Sequence, residues 1–402
     1  MDKLDKIFDS FASSNLFKGK EVLQSNYSPE TILHRTEQIE SIASILGPLL
    51  KGERVSNLFL YGKTGTGKTL SARYVGEKIE SRMKEAGDSN LRFLYVNCKS
   101  KKVSDTEYRI IAELIKLLGD KVPATGLPTD AVYTKFIDII DEKKQTVVLV
   151  LDEIDQAVKK ISDNFIYTIT RMNSELKNAQ VCLIGISNSL TFMDNLDPRV
   201  RSSLGEEEII FPPYNALQLK DILRERADLA FTKGVLGDGV IEKCSAYAAR
   251  EHGDARRALD LLRVAGEIAV REGKEKVSLE HIDSANQKIE KDKMLDIIEN
   301  EPKQFQLVLH SIMALDGRKD YGTIFTGDVY NIYQEICEGT KNDVLTQRRV
   351  SDILADFDML GIINARVISK GRQGRTREIK LMLSPNIKEK AKEILSKSLD
   401  LG

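Results

Sequence analysis

Tryptophan is absent from this 402-residue sequence, and cysteine, histidine and proline are scarce. The four cysteines, Cys98, Cys182, Cys244 and Cys337, are scattered without a Cys-x-x-Cys pair, so neither a disulfide framework nor a zinc site is indicated. The four histidines also lack the spacing of metal ligands. Nine prolines and 26 glycines are too few for a collagenous or low-complexity chain. These absences favour a globular protein without a structural metal.

An excess of charge of either sign is missing as well. The 60 Lys and Arg residues nearly balance 61 Asp and Glu residues, which excludes a uniformly basic polymer and an acidic disordered tail. A neutral total still permits nucleic-acid binding by a local basic surface. The longest apolar runs, such as residues 147–151, are far too short to span a bilayer, and no apolar signal core follows Met1. We therefore expect a cytoplasmic protein with no membrane partner.

The length and the 41% hydrophobic composition predict two or three domains. In the first half, short apolar runs alternate with longer helical patterns, which is typical of a parallel α/β sheet. The predicted strands are residues 57–61, 92–97, 146–151, 181–187 and 208–211. Pro212-Pro213 ends this pattern, so we place the first domain at residues 1–213.

Helical periodicity alone continues to about residue 293, which predicts four helices and a small all-α domain at residues 214–300. A third domain is predicted at residues 301–402. It contains three helical segments, and then two strands joined by a glycine-rich basic segment, which is the arrangement of a winged helix. The three helices are predicted at residues 305–315, 328–337 and 346–360, and the two strands at residues 362–368 and 378–383.

A phosphate-binding loop follows the first predicted strand. Its eight residues satisfy the G-x-x-x-x-G-K-[ST] pattern between a strand and a helix. Glycines let backbone N–H groups surround a phosphate, a lysine reaches the β- and γ-phosphates, and a threonine hydroxyl ligates Mg²⁺. A chance glycine turn is the alternative, and the strand–loop–helix context argues against it. The loop residues are Gly62, Lys63, Thr64, Gly65, Thr66, Gly67, Lys68 and Thr69.

Polar side chains follow two further predicted strands. Asp152 and Glu153 end the third strand, and Asn188 follows the fourth. At the carboxyl ends of parallel strands these groups point into the crevice where ligands bind. We expect Asp152 to hold Mg²⁺, Glu153 to orient or deprotonate the attacking water, and Asn188 to bond that water or the γ-phosphate. Solvated carboxylates and a turn asparagine are the alternatives.

Three arginines are candidates for contact with the γ-phosphate. Arg256 begins a helix of the second domain and could fold onto the nucleotide when a lid closes. Arg199 and Arg201 precede the fifth strand and could serve the nucleotide of a neighbouring subunit. For each arginine the alternative is a solvated surface charge, and which of the last two would act in trans stays open.

Basic residues are concentrated at two places in the predicted winged helix. Thr346, Arg348 and Arg349 lie at the start of its third helix, the end that enters a major groove. The segment between its strands presents arginines that fit a narrow minor groove. We expect duplex DNA binding, with a solvated turn or an RNA or protein partner as alternatives. The basic residues of that segment are Lys370, Arg372, Arg375 and Arg377.

The order of these motifs resembles an AAA+ ATPase. More narrowly, residues 25–400 resemble the archaeal ORC-type DNA replication proteins, relatives of the origin recognition complex and of cell division control protein six. The resemblance is carried by the phosphate loop and by Ile186-Ser187-Asn188, Asp197-Pro198-Arg199-Val200 and Gly253-Asp254-Ala255-Arg256. It implies an AAA+ P-loop ATPase base with a five-stranded parallel sheet, an all-α lid and a C-terminal winged-helix domain.

The same resemblance implies further residues and partners. Arg35, in a segment before the phosphate loop, is implied to touch the adenine; Tyr214, after the fifth strand, is assigned to the nucleotide site; and Gly126 lies in an insertion implied to contact DNA. The implied cofactors are ATP or ADP and Mg²⁺, with weak hydrolysis acting as a switch. The implied partners are origin duplex DNA, a replicative helicase and paralogous initiators, in a nucleoid-associated cytoplasmic location. A transcription-regulating ATPase and a branch-migration motor are the alternatives.

Overall fold

The computed structural model of the protein describes residues 15–88, 90–99, 106–123, 126–316, 323–369 and 375–399. The chain divides into two compact units, one up to Ile282 and one from Asp283 onward. None of the helices in these described ranges is long and apolar enough to cross a membrane. The predicted three-domain division at 213/214 and 300/301 stays a prediction.

The first unit contains a parallel sheet of five strands, in the order β2-β3-β4-β1-β5. The sheet is that expected from the apolar runs, and its interior strand β3 is buried at every position before its terminal aspartate. Successive side chains of β3 enter different cores, with Val147 and Leu149 on one face and Val148 on the other. The strands are β1 (Asn57–Tyr61), β2 (Leu91–Asn97), β3 (Thr146–Asp152), β4 (Gln180–Ser187) and β5 (Glu206–Ile210).

Helices cover both faces of this sheet because alternate β3 residues need an apolar partner on each side. The core on one face contains residues of α1 and α2, and the core on the other face contains residues of α3 to α7. These helices are α1 (Thr36–Leu46), α2 (Lys68–Glu85), α3 (Glu107–Leu117), α4 (Thr129–Asp141), α5 (Ile154–Lys160), α6 (Asn164–Arg171) and α7 (Pro198–Leu204).

Four helices follow the sheet, as the periodicity predicts. The first begins at a capping box in which Asn215 and Gln218 bond each other's backbone N–H groups. The third begins at Asp254, whose side chain accepts the N–H groups of Arg256 and Arg257. The helices are α8 (Ala216–Ala230), α9 (Val240–Arg250), α10 (Ala255–Arg271) and α11 (Leu279–Asn300), the last of which continues into the second unit.

The second unit contains three helices, a three-stranded antiparallel sheet in the order β6-β8-β7 and a final helix. The short strand β6 and the final helix α15 were not among the predicted elements. Buried Ala391 and Leu395 of α15 join the core of this unit, and α15 packs on α12. The elements are α12 (Lys303–Asp316), β6 (Ile324–Phe325), α13 (Thr326–Gly339), α14 (Gln347–Met359), β7 (Ile363–Ser369), β8 (Arg375–Leu381) and α15 (Pro385–Ser398).

Candidate functional site

The phosphate loop joins β1 to α2, and glycine is required at its tightest points. Gly65 and Gly67 have φ angles of 71° and 91°, a region that disfavours residues with a Cβ. A Cβ on Gly65 would also overlap the carboxylate of Asp254, at the start of α10. The backbone of that helix contacts the loop, because the Ala255 N–H donates to the Gly65 carbonyl at 3.2 Å. The start of α10 and the phosphate loop are therefore in contact at Gly65.

Lys68 lies inside the loop with 5% of its surface exposed. Its Nζ donates to the carbonyls of Gly62 and Lys63, both at 2.8 Å, and to Asn188 Oδ1 at 2.9 Å. Burial lowers the pKa of Lys68 to about 8, although the nearby Asp152 carboxylate opposes that shift. A phosphate group bound in the loop would favour the charged form of the Lys68 ammonium group and so oppose the effect of burial.

Thr69 and Asp152 meet at the carboxyl end of β3. The Thr69 hydroxyl donates to Asp152 Oδ2 at 2.9 Å, and the Glu153 N–H donates to Asp152 Oδ1 at 3.0 Å. Hydroxyl and carboxylate oxygens are the ligands that Mg²⁺ prefers, so this pair fits the predicted magnesium role. Glu153 has a left-handed φ of 55° and its Oε2 lies 3.7 Å from Lys99 Nζ. Lys99 was not predicted; only its place just after a strand end could have indicated it.

A cavity in the first unit opens above the loop. Its lining comes from a segment before α1, the phosphate loop, the ends of strands β2, β3 and β4, Tyr214, and helices α8 and α10. Its lining includes polar residues at the strand ends, namely Asn97, Asp152, Glu153 and Asn188, and also apolar or aromatic residues, namely Tyr27, Ile32, Leu33, Ile222 and Leu259. A lining that combines a phosphate loop with apolar and aromatic side chains suits a nucleotide, which has both an anionic and a flat apolar part.

Arg35 and Tyr214 form a buried pair behind the loop. The Arg35 guanidinium lies 3.7 Å from the centre of the Tyr214 ring and donates to the carbonyls of Thr66 at 2.8 Å, Pro212 at 2.6 Å and His34 at 3.0 Å. Tyr214 lines the cavity as predicted, whereas Arg35 is not among the described residues that do. Arg35 thus braces the loop from behind, and the contact with an adenine that the resemblance implies for it stays a prediction.

The three candidate arginines separate into two groups. Arg256 lines the cavity at the start of α10. Arg199 and Arg201, on α7, are not among the described cavity residues; they pair with Asp197 at 3.1 Å and Asp194 at 3.7 Å. The side chain of Arg199 is 84% exposed. This position is compatible with a contact to another molecule and excludes one to the chain's own cavity in this conformation.

The start of α14 presents the predicted basic residues to solvent. Thr346 accepts the Arg349 N–H at 3.4 Å as the N-cap, and Arg348 and Arg349 are exposed. Arg377, on β8, instead donates to the Ser351 carbonyl at 2.7 Å and so ties the strand to α14. A shallow depression between these elements contains Arg348, Ser351 and Arg377.

Other predicted DNA contacts are only partly described. Lys370 and Arg372 lie outside the described residues, and Arg375 is described as the first residue of β8. Gly126 is exposed with a φ of 111°, just before α4. Among the described residues, Lys68, Thr69, Asp152, Glu153, Asn188 and Arg256 thus line one cavity, and their predicted roles stay predictions.

Models of known families match most of the chain. They are an AAA domain at residues 53–193, a Cdc6 AAA+ ATPase-type lid domain at residues 220–287 and a CDC6 C-terminal winged helix domain at residues 296–391. The chain is 51% identical to an ORC1-type DNA replication protein of Pyrococcus abyssi, over 95% of this chain and 91% of that protein. It is 50% identical to ORC1-type DNA replication protein 1 of Methanosarcina mazei, over 94% and 91%.

Solved structures agree with these matches. The structure of the Aeropyrum pernix ORC1 protein in complex with DNA is similar with a TM-score of 0.83 and 44% identity, over 96% of this chain and 98% of that one. Cdc6p from Pyrobaculum aerophilum is similar with a TM-score of 0.59 and 21% identity, over 96% and 100%, a likeness of fold alone.

Proposed function

This chain belongs to the ORC1-type (Cdc6) family of AAA+ DNA replication proteins, and from that premise we propose that it is an ATP-dependent initiator that binds duplex DNA at replication origins. One observation carries the nucleotide part of this proposal: Lys68 of the phosphate loop and Asp152 and Asn188 at two strand ends meet in one cavity that a lid helix also lines. The winged-helix match and the DNA complex of a 44% identical protein support the DNA part.

The proposed ATPase uses residues of both the sheet and the lid. Lys68 and the loop N–H groups bind the phosphates, and Thr69 and Asp152 would hold Mg²⁺, which supplies charge neutralisation at the transferring phosphoryl group. Glu153 orients the attacking water or accepts a proton from it. Asn188 donates its amide N–H to that water or to the γ-phosphate. Rotation of the amide would be needed, because Asn188 Oδ1 now faces Lys68.

Arg256 gives the lid its sensitivity to nucleotide. It begins α10, beside the contact between Ala255 and Gly65. A γ-phosphate would attract its guanidinium and strengthen the docking of the lid on the loop, whereas ADP offers no charge there. We propose that hydrolysis is weak and resets this switch, and that the ATP form binds origin DNA, recruits the replicative helicase and assembles with paralogous initiators. Arg199 or Arg201 would act in trans in such an assembly.

Fluorescence anisotropy of labelled duplex DNA, titrated with the protein in the presence of ATP or of ADP, tests the proposal. Duplexes with candidate origin sites, promoter sites and scrambled sequence are compared at several salt concentrations. We expect a preference of roughly 10³-fold for origin duplex in ATP, within the range of specific binding. Arg348→Ala with Arg349→Ala should weaken binding, whereas Lys390→Ala with Lys397→Ala, which removes two exposed charges of α15, serves as a charge-matched control. A preference for promoters, or rapid DNA-stimulated turnover without any site preference, would replace the initiator with one of the two alternatives.

A further inference from the structure

Asp155 is a buried carboxylate next to the site that the proposed hydrolysis does not use. It lies in the first turn of α5 and is 5% exposed. Its Oδ1 accepts the Ser187 hydroxyl at 3.1 Å and the Asn188 N–H at 3.3 Å, and its Oδ2 accepts the Gln156 amide at 2.9 Å. A buried charge needs such donors, and two of the three come from the end of β4.

The contacts of Asp155 continue to the phosphate loop through one residue. Strands β3 and β4 are neighbours, with Asp152 paired to Ile186, so the start of α5 lies beside the point where the chain leaves β4. At that point Asp155 holds the backbone N–H of Asn188, while the side chain of Asn188 meets Lys68 at 2.9 Å. The backbone of Asn188 is thus fixed on one side by a carboxylate, and its side chain faces the phosphate position on the other.

We propose that Asp155 is the positioning residue of Asn188, and that its carboxylate sets the direction in which the Asn188 amide reaches the γ-phosphate and the attacking water. Asp155 does not line the cavity and contacts no nucleotide; it acts through the Asn188 backbone. The inference rests on the proposed role of Asn188 in hydrolysis. A misplacement of about 1 Å at a reacting centre can cost roughly 10²-fold in rate. Loss of the Asp155 carboxylate is therefore expected to lower the rate of hydrolysis strongly.

A purely structural role for Asp155 makes a different prediction. If its hydrogen bonds only hold α5 on β4, their loss lowers stability and the fraction of active protein, whatever residue stands at position 188. If Asp155 acts through Asn188, its loss has no further effect on kcat once the Asn188 amide is gone. A double-mutant cycle separates the two roles.

The experiment measures single-turnover hydrolysis of labelled ATP, ATP affinity and thermal unfolding for a set of variants. Asp155→Leu keeps the branched arrangement of side-chain heavy atoms but accepts no hydrogen bond, and we expect kcat to fall by about 10- to 100-fold while the Kd for ATP stays within about threefold. Asp155→Asn keeps an oxygen for Ser187 and Asn188 and should restore most of kcat. In the Asn188→Ala background, Asp155→Leu should leave kcat unchanged.

A matched control comes from the opposite end of β4. Asp141 accepts the N–H groups of Lys177, Asn178 and Ala179 in the turn that leads into that strand. Asp141→Leu should lower stability with little change in kcat. If Asp155→Leu does not fold, Ser187→Ala carries the same cycle, because it removes one donor to Asp155 and should reduce kcat by roughly two- to tenfold in the wild-type background only.

Three results would overturn the inference, and they are distinguishable. Wild-type kcat in Asn188→Ala would refute the proposed role of Asn188 itself. A reduced kcat in Asn188→Ala with unchanged kcat in Asp155→Leu would refute only the positioning role. Equal losses from Asp155→Leu in both backgrounds, with Asp155→Asn as impaired as Asp155→Leu, would assign the carboxylate to stability.

Discussion

Replacement of Arg35 by methionine should destabilise the first unit strongly, because Arg35 is a buried brace of the phosphate loop. The Arg35 side chain is 2% exposed and donates to the carbonyls of Thr66, Pro212 and His34. Methionine keeps the apolar stem and removes all of these donors. The Thr66 carbonyl belongs to the phosphate loop, so loss of its partner should also loosen the loop and weaken ATP binding.

The size of the effect follows from these contacts. A hydrogen bond to a charged group contributes roughly 1.5–3 kcal/mol, and the contact between the guanidinium and the Tyr214 ring adds up to about 2 kcal/mol in a desolvated position. Burial lowers the pKa of Arg35, which indicates a desolvation cost that the substitution removes. We expect a net loss of about 3–5 kcal/mol, the range for breaking a buried charged contact.

Hydrogen exchange of the β1 amides measures this loss within the first unit, without requiring the whole chain to unfold in one step. Arg73→Met is the matched control, because Arg73 is exposed and only faces the Tyr95 ring at 5.2 Å. Arg73→Met should lower the free energy of unfolding of the first unit by less than about 1 kcal/mol. A changed preference between ATP and GTP in Arg35→Met, with no loss of stability, would refute the bracing role and restore the adenine contact.

Three further predictions concern the nucleotide and DNA sites. Burial lowers the pKa of Lys68 to about 8, so the affinity for ATP should be constant below that pH and fall towards tenfold per pH unit above it. Titrations with fluorescent ATP should show this fall in the wild type and no such fall in Lys68→Arg. The same fall in Lys68→Arg would contradict the assignment to Lys68. Glu153→Ala should keep ATP binding and lose roughly 10²-fold or more in hydrolysis, so wild-type turnover would remove Glu153 from the chemistry. Arg348→Ala should reduce by about one the slope of log binding constant against log salt concentration for DNA. Arg377→Met should instead lower the thermal stability of the second unit and leave this slope unchanged. An equal reduction of the slope in both variants would place Arg377 on DNA.

Local patterns predicted most of the secondary structure. The strand at residues 57–61 and the four helices after the sheet were predicted because buried runs and helical periodicity are local properties. Strand β5 begins at Glu206, two residues earlier than predicted, because the carboxylates that hide it in the hydropathy pattern suit an exposed edge strand. Helix α15 was missed, although Ser384 before Pro385 is a typical helix start.

The sequence by itself determined the chemistry of the phosphate loop. A glycine-rich turn between strand and helix needs only neighbouring residues to form, so Lys68 and Thr69 could be assigned without a fold. The acidic pair and Asn188 needed one further step, because the ends of parallel strands meet at one edge in any sheet of this class.

The tertiary structure alone decided which long-range partners these residues have. Arg35 braces the phosphate loop because its donors meet carbonyls of segments 31 and 177 residues further along the chain. Asp155 reaches Asn188 because β3 and β4 pair in a register that sets the start of α5 beside the end of β4. Hydropathy and propensity record whether a residue is buried, and they contain no information on which distant segment buries it.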